Sequence, residues 1–227
     1  MKRRACLFAL PALLLAGCVS GPGQFAKSDI DRIADLHRRE IAASLQRLAE
    51  KLYRRNPREW KKGGHASLEV ALAQLADPAR FLLLDADGRR STTLVLASLR
   101  EDYAHDRVAA FIGGLAQMLH LAFDGKLEFF LFDDLDAQKL HNAARNVEIA
   151  AWKLANTLRT LPEADIPVGA PMLFSNEITP VRNLSFEREF GRLIGNLDLL
   201  SQIVADKTQR TVVKVVQSIT SAIFLPI

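Results

Sequence analysis

The sequence predicts a mainly α fold, a helical bundle that leaves room for one small β-hairpin. Three observations carry this. Apolar residues recur at i, i+3, i+4 and i+7 over long stretches, as they do along one face of a helix. Residues that favour helix starts, among them Ser28, Ser67, Asp106 and Ser185, stand just ahead of those stretches. The chain from 28 to 227, about 200 residues, is long enough to bury one sizeable core, and no internal repeat or low-complexity segment divides it.

Ile30, Ile33, Leu36, Ile41, Leu45, Leu48 and Leu52 form one stripe, with Arg38, Arg39, Glu40, Arg47, Glu50 and Lys51 opposite. One amphipathic helix is therefore expected from Asp29 to Arg55. Ser28 suits its N-cap, and Asp29 and Asp31 suit the positive end of its dipole. Asn56-Pro57-Arg58-Glu59 ends it and starts another turn: Asn56 as cap, Pro57 at the first helical position, Glu59 three residues after the cap. Trp60 then packs back on the first helix. Tyr53 to Lys62 is also the most basic stretch, carrying Arg54, Arg55, Arg58, Lys61 and Lys62. It reads as a solvated corner between helices; contact with anionic lipid headgroups is the sharper alternative.

Gly63-Gly64 breaks the chain, Ser67 caps a short helix through Leu75, and Asp77-Pro78 stops it. Phe81 to Leu96 stays open. An apolar run, an Asp87-Gly88 turn and a second run from Ser91 fit a hairpin; equally, Ser91 caps a helix reaching Tyr103. Asp85 and Asp87 resemble a calcium loop only in part, since Arg89 and Leu96 stand where further ligands belong. Asp106 caps a strongly apolar helix through Val108, Phe111, Leu115, Met118 and Ala122. It falls short of the ~20 residues of a membrane span and contains Gln117 and His120, so it reads as a buried central helix. Gly113-Gly114 weakens it by about 1 kcal/mol per glycine, which close approach of a neighbouring element, or a bound lipid chain, would explain.

After the apolar run Leu127 to Phe132, Asp133-Asp134 are expected to cap a long helix with Leu140, Ala144, Val147, Ala151 and Leu154 on one face. Leu161 to Pro180 is a long connector, of the kind that often carries function. Two helices are expected to close the chain, Leu184 to Leu200 with Ser185 as cap, and Asp206 to Phe224 with Val212, Val215, Val216, Ile219 and Ile223 as its stripe. The last residues, Phe224 to Ile227, are expected to dock on the core.

The chain begins differently. Met1-Lys2-Arg3-Arg4 is positive, Ala5 to Ala16 is apolar apart from Pro11, and Ala16 and Gly17 precede Cys18. These are the parts of an export signal. The tetrad Leu15-Ala16-Gly17-Cys18 resembles the lipobox of bacterial lipoproteins. The resemblance implies that Leu15, Ala16 and Gly17 are read by the lipoprotein signal peptidase and that the chain is cut before Cys18. It also implies a diacylglyceryl group on the Cys18 thiol and a further acyl chain, such as palmitate, on the new amine. Each buried CH₂ contributes about 0.8 kcal/mol, so two or three chains hold a protein on a membrane where one does not. Val19-Ser20, with no Asp after the cysteine, implies the outer membrane, with the protein facing the periplasm. The expected organisation is a signal peptide (1–17), a lipidated tether (18–27) and a single α-helical periplasmic domain (28–227).

Removing residues 1–17 takes away Lys2, Arg3 and Arg4 and no acid, so the formal charge falls from +4 to +1. The basicity belongs mostly to the leader and is no argument for a nucleic-acid partner. Cys6 leaves too, and a lipidated Cys18 cannot pair, so the domain is expected to stand without a disulfide.

The chain has no His-Glu-x-x-His, Cys-x-x-Cys, Gly-x-Ser-x-Gly or glycine-rich phosphate loop. The histidines His37, His65, His105, His120 and His141 lack metal-ligand spacing, and no metal or cofactor is expected. His141, Arg145 and Glu148 lie at i, i+4 and i+7 on one helical face, as a polar site or a salt-bridged seam between helices. The stretches Tyr53 to Glu59 and Asn142 to Glu148 resemble uncharacterised proteobacterial lipoproteins, a resemblance that transfers no catalytic residue. The expected role is structural, assembly or interaction, through a protein partner in the envelope. Two alternatives stand beside it: a carrier of a lipid or other apolar ligand near Gly113-Gly114, and an enzyme without a recognisable motif.

Overall fold

The computed structural model describes residues 28–77, 88–129, 135–161, 165–177 and 180–227. The leader, the tether and the Leu15-Ala16-Gly17-Cys18 tetrad lie outside the described residues, as do Asp85, Asp87 and Asp133-Asp134. Among the described residues there are seven helices and no strand. They are α1 (Asp29–Arg55), α2 (Pro57–Lys62), α3 (Leu68–Ala76), α4 (Ser91–Ser98), α5 (Arg107–Ala122), α6 (Ala137–Asn156) and α7 (Ser185–Thr208).

α1 has the bounds its capping residues dictate. Ser28 Oγ accepts from the Asp31 amide at 3.2 Å, and the Asp31 carboxylate accepts from the Ser28 amide at 2.7 Å. Its stripe is buried from Ile41 to Leu52, while Ile33 and Leu36 remain exposed. α5 is the central helix, buried on nearly every side from Val108 to Leu119. The four long helices close a ring in which α1 touches α5 and α7, and α6 touches α5 and α7. Among the described residues no helix is long and apolar enough to cross a membrane.

The two glycines of α5 differ. A Cβ on Gly114 would lie 2.7 Å from the Ser91 carbonyl oxygen and 2.8 Å from Val95 Cγ2, whereas one on Gly113 would meet nothing within 4 Å. Gly114 is thus the notch into which α4 packs, not the wall of a lipid site. Gln117, one turn on, accepts from the Ser91 amide at 2.6 Å. Ser91 to Ser98 being helical, the hairpin has no second strand; its expected first arm lies outside the described residues.

Several expected caps are replaced. Asp136 caps α6, accepting from the amides of Gln138 and Lys139. Ser185 is the first residue of α7 rather than its cap, and Leu184 before it offers no side-chain acceptor. Asn56 does not cap α2 but turns to the connector, donating to the Phe174 carbonyl at 2.9 Å and accepting from the Phe174 amide at 2.7 Å.

The largest correction is at the C-terminus. α7 runs unbroken past Leu200, the expected end of the first of two helices, to Thr208, and Gln209 then turns left-handed at φ 52°. No helix spans Asp206 to Phe224; the chain is non-helical from Gln209, and Val216 is 94% exposed. The expected stripe is rich in β-branched residues, which are poor helix formers. Side-chain amides hold this segment instead. Gln138 of α6 accepts from the Val213 amide at 2.7 Å and donates to its carbonyl at 3.0 Å. Asn146, two turns further along α6, holds Leu225 in the same way at 2.6 and 2.9 Å. Gln217 grips Ile223 at 3.0 and 3.2 Å. Phe224 and Ile227 pack against the core, as expected.

Candidate functional site

His141, Arg145 and Glu148 share the face of α6 that meets α7, and the structure adds a fourth member, Asp198 of α7. Arg145 Nη2 lies 2.7 Å from Asp198 Oδ2 and 3.1 Å from Glu148 Oε1. His141 Nδ1 is 3.9 Å from Asp198 Oδ1, too far for a hydrogen bond. Burial, then the positive charge of Arg145, holds the His141 imidazole below its usual range. Burial pushes the Glu148 carboxyl above its usual range, against the opposing pull of Arg145. Both carboxylates thus converge on one guanidinium beside a neutral imidazole. This arrangement ties α6 to α7 as a salt-bridged seam. Asp198 has no sequence signal of its own, because it lies 53 residues from Arg145.

A second polar cluster forms where α1, α2 and α5 meet. Asp106 caps α5 as expected, accepting from the Ala109 amide at 2.9 Å. Its other oxygen accepts from the buried Tyr53 hydroxyl at 2.8 Å. Burial drives that hydroxyl far above the usual phenol range, and the Asp106 charge adds to the effect. Burial also raises the Asp106 carboxyl, although the Ala109 amide and the Tyr53 hydroxyl both oppose the shift. Glu59 of α2 accepts from the Arg107 amide at 2.8 Å, so two carboxylates receive the free N–H groups at the start of α5. The buried Arg107 guanidinium donates to the carbonyls of Ser98, Arg100 and Glu101. Asp106, Glu59 and Arg107 each meet backbone groups, and Tyr53 braces Asp106.

This cluster also disposes of much of the basic stretch. Tyr53 is buried, Arg54 pairs with Glu50 at 2.8 Å, Arg55 with Glu177 at 2.9 Å, and Lys62 lies 3.5 Å from Glu59. Trp60 packs partly on the core with Lys61 over its ring. The stretch is the solvated corner expected of it. His37, on the charged face of α1, meets Asn196 Oδ1 of α7 at 2.9 Å. Among the described residues no group of three or more His, Cys, Asp or Glu is placed to hold a metal ion. Compared with protein-family models, with characterised proteins and with solved structures, the chain matches none of them.

Proposed function

We propose that this protein is a lipid-anchored cell-envelope protein whose helical domain acts through protein contacts at the periplasmic face of the outer membrane. The observation that carries the reading is the tetrad Leu15-Ala16-Gly17-Cys18 behind the basic start Met1-Lys2-Arg3-Arg4. Cys18 is the residue with a chemical role, as the acceptor of the lipid. The contact half of the reading is supported by the C-terminal segment. Gln138 and Asn146 are eight residues apart on a helix, about 12 Å at 1.5 Å per residue. They pin Val213 and Leu225, and twelve residues of extended chain could span roughly 40 Å. The segment between them is thus longer than the span between its two holds; Ala222 and Phe224 pack inward, while Val215, Val216, Ile219 and Ile223 are exposed.

Cys18→Ser tests the anchor. With labelled palmitate in a Gram-negative host, the wild-type chain should take up label and lose its leader. The variant should take up none and accumulate as the precursor. Unchanged processing and membrane retention of the variant would overturn the reading.

A further inference from the structure

Between α1 and α5 runs an apolar cleft that none of the interactions above uses. One part, about 150 Å³, is walled by Ile41, Leu45, Leu119, Phe123 and Leu127. A second, about 290 Å³, lies beside Gln46, Leu75 and Ile112. Ala42, Leu45, Ala76 and Ala116 line both, so the two are continuous, and among the described residues no carboxylate lines either. The first part is bordered by cationic residues, Arg38, His120 and Lys126.

Arg38 is the informative one. Its Nε is buried without a hydrogen-bond partner. Arg55 and Arg145 also bury an Nε without one, but each directs Nη2 at a carboxylate, Glu177 at 2.9 Å and Asp198 at 2.7 Å. Arg38 makes no hydrogen bond or ion pair with any described residue. A guanidinium has five donors and no acceptor; Arg38 is half-buried, and its Nε is the donor shut away from water without a partner, one that an anion in the cleft would match. Burial, and then the charge of Arg38, holds His120 below its usual range.

We infer that this cleft binds an anionic amphiphile, with its acyl chain along the apolar walls between α1 and α5 and its carboxylate or phosphate on Arg38. The inference does not depend on Cys18 being lipidated. The walls supply non-directional burial, and Arg38 supplies the one oriented polar contact that a largely apolar site needs.

The test is a fluorescence titration of the full chain with 11-(dansylamino)undecanoate and with its methyl ester, followed by displacement with dodecanoate and with dodecyl phosphate. The carboxylate probe should bind saturably, and the ester about tenfold more weakly, the scale of one charge-assisted hydrogen bond. The competitor effective at lower concentration identifies the headgroup as carboxylate or phosphate. Arg38→Gln should weaken the carboxylate by the same factor and leave the ester unchanged. Ala42→Trp, at an exposed position lining both parts, should weaken both probes, and Leu127→Glu should weaken the carboxylate more than the ester. Circular dichroism melts should match the wild type for all three. No saturable binding, or binding that Ala42→Trp and Leu127→Glu both leave unchanged, would overturn the inference. So would equal affinity for acid and ester.

Discussion

The start of α5 and the C-terminal segment face one problem, backbone groups without helical or strand partners, and they solve it with different chemistry. At α5 the partners are charged and buried: Asp106, Glu59 and Arg107. Along the C-terminus they are neutral: Gln138, Asn146 and Gln217 each take one amide and one carbonyl of a single residue, as a neighbouring strand would. Charged partners make stronger hydrogen bonds but carry a desolvation cost and titrate. Primary amides do not titrate, and their desolvation cost is smaller. The comparison teaches that a charged partner is most useful where several orphan backbone groups converge, as three carbonyls do on Arg107.

The sharpest way to break the comparison is at Arg107. Arg107→Leu removes the donor shared by three carbonyls and should destabilise the fold by about 3 kcal/mol or more, since each buried unsatisfied group costs roughly 1–3 kcal/mol. A loss below 1 kcal/mol in urea unfolding would show that water substitutes for the guanidinium. Asn146→Ala should cost about 2 kcal/mol for the two bonds to Leu225, and by the same amount at pH 4.5 and 7.5. It should also expose the C-terminal segment to carboxypeptidase; protection equal to the wild type would place the hold on the segment elsewhere.

The charged cluster should respond to pH where the amide clamp does not. Burial holds the Asp106 carboxyl above its usual range, so the folded state binds that proton more tightly than the unfolded state, whose carboxyl stays near 3.9. The cost of keeping it ionised is present above the folded pKa and relieved as the pH falls through it. Asp106→Asn keeps an acceptor for the Ala109 amide and removes the titration. The wild type should therefore lose stability relative to this variant as the pH rises from 4.5 to 7.5, and a constant difference would contradict it. The smallest effect is expected at the α6–α7 seam. Asp198→Ala removes a partly exposed ion pair and should change stability by about 0–1 kcal/mol, less at high salt.

What could be read in the sequence follows the range of each interaction. α1 runs from Asp29 to Arg55 as expected, because its N-cap and its apolar stripe are local. Asp106 was recognisable as a cap for the same reason. Its partner Tyr53 is 53 residues away, and Glu59 is 48 residues from Arg107, so the rest of that cluster was not. His141, Arg145 and Glu148 were legible as a face by spacing, whereas Asp198, which completes their seam, was not. The start of α6 fell to Asp136, one of three acids in four residues that a sequence cannot rank. The C-terminal stripe misled because valines and isoleucines spaced for a helix are also good extended-chain formers. The left-handed Gln209 and distant amides on α6 decide between the two.

The notch at Gly114 has a consequence for how this chain tolerates change. α4 is only eight residues long, and its place is set by α5: by the missing side chain at Gly114 and by the Gln117 acceptor one turn further on. The constraint on the short helix is stored in its neighbour. A substitution map of that corner would show exposed positions of α4 such as Leu96 drifting freely, with the intolerance shared between buried positions of α4 such as Val95 and the Gly114 and Gln117 positions of α5.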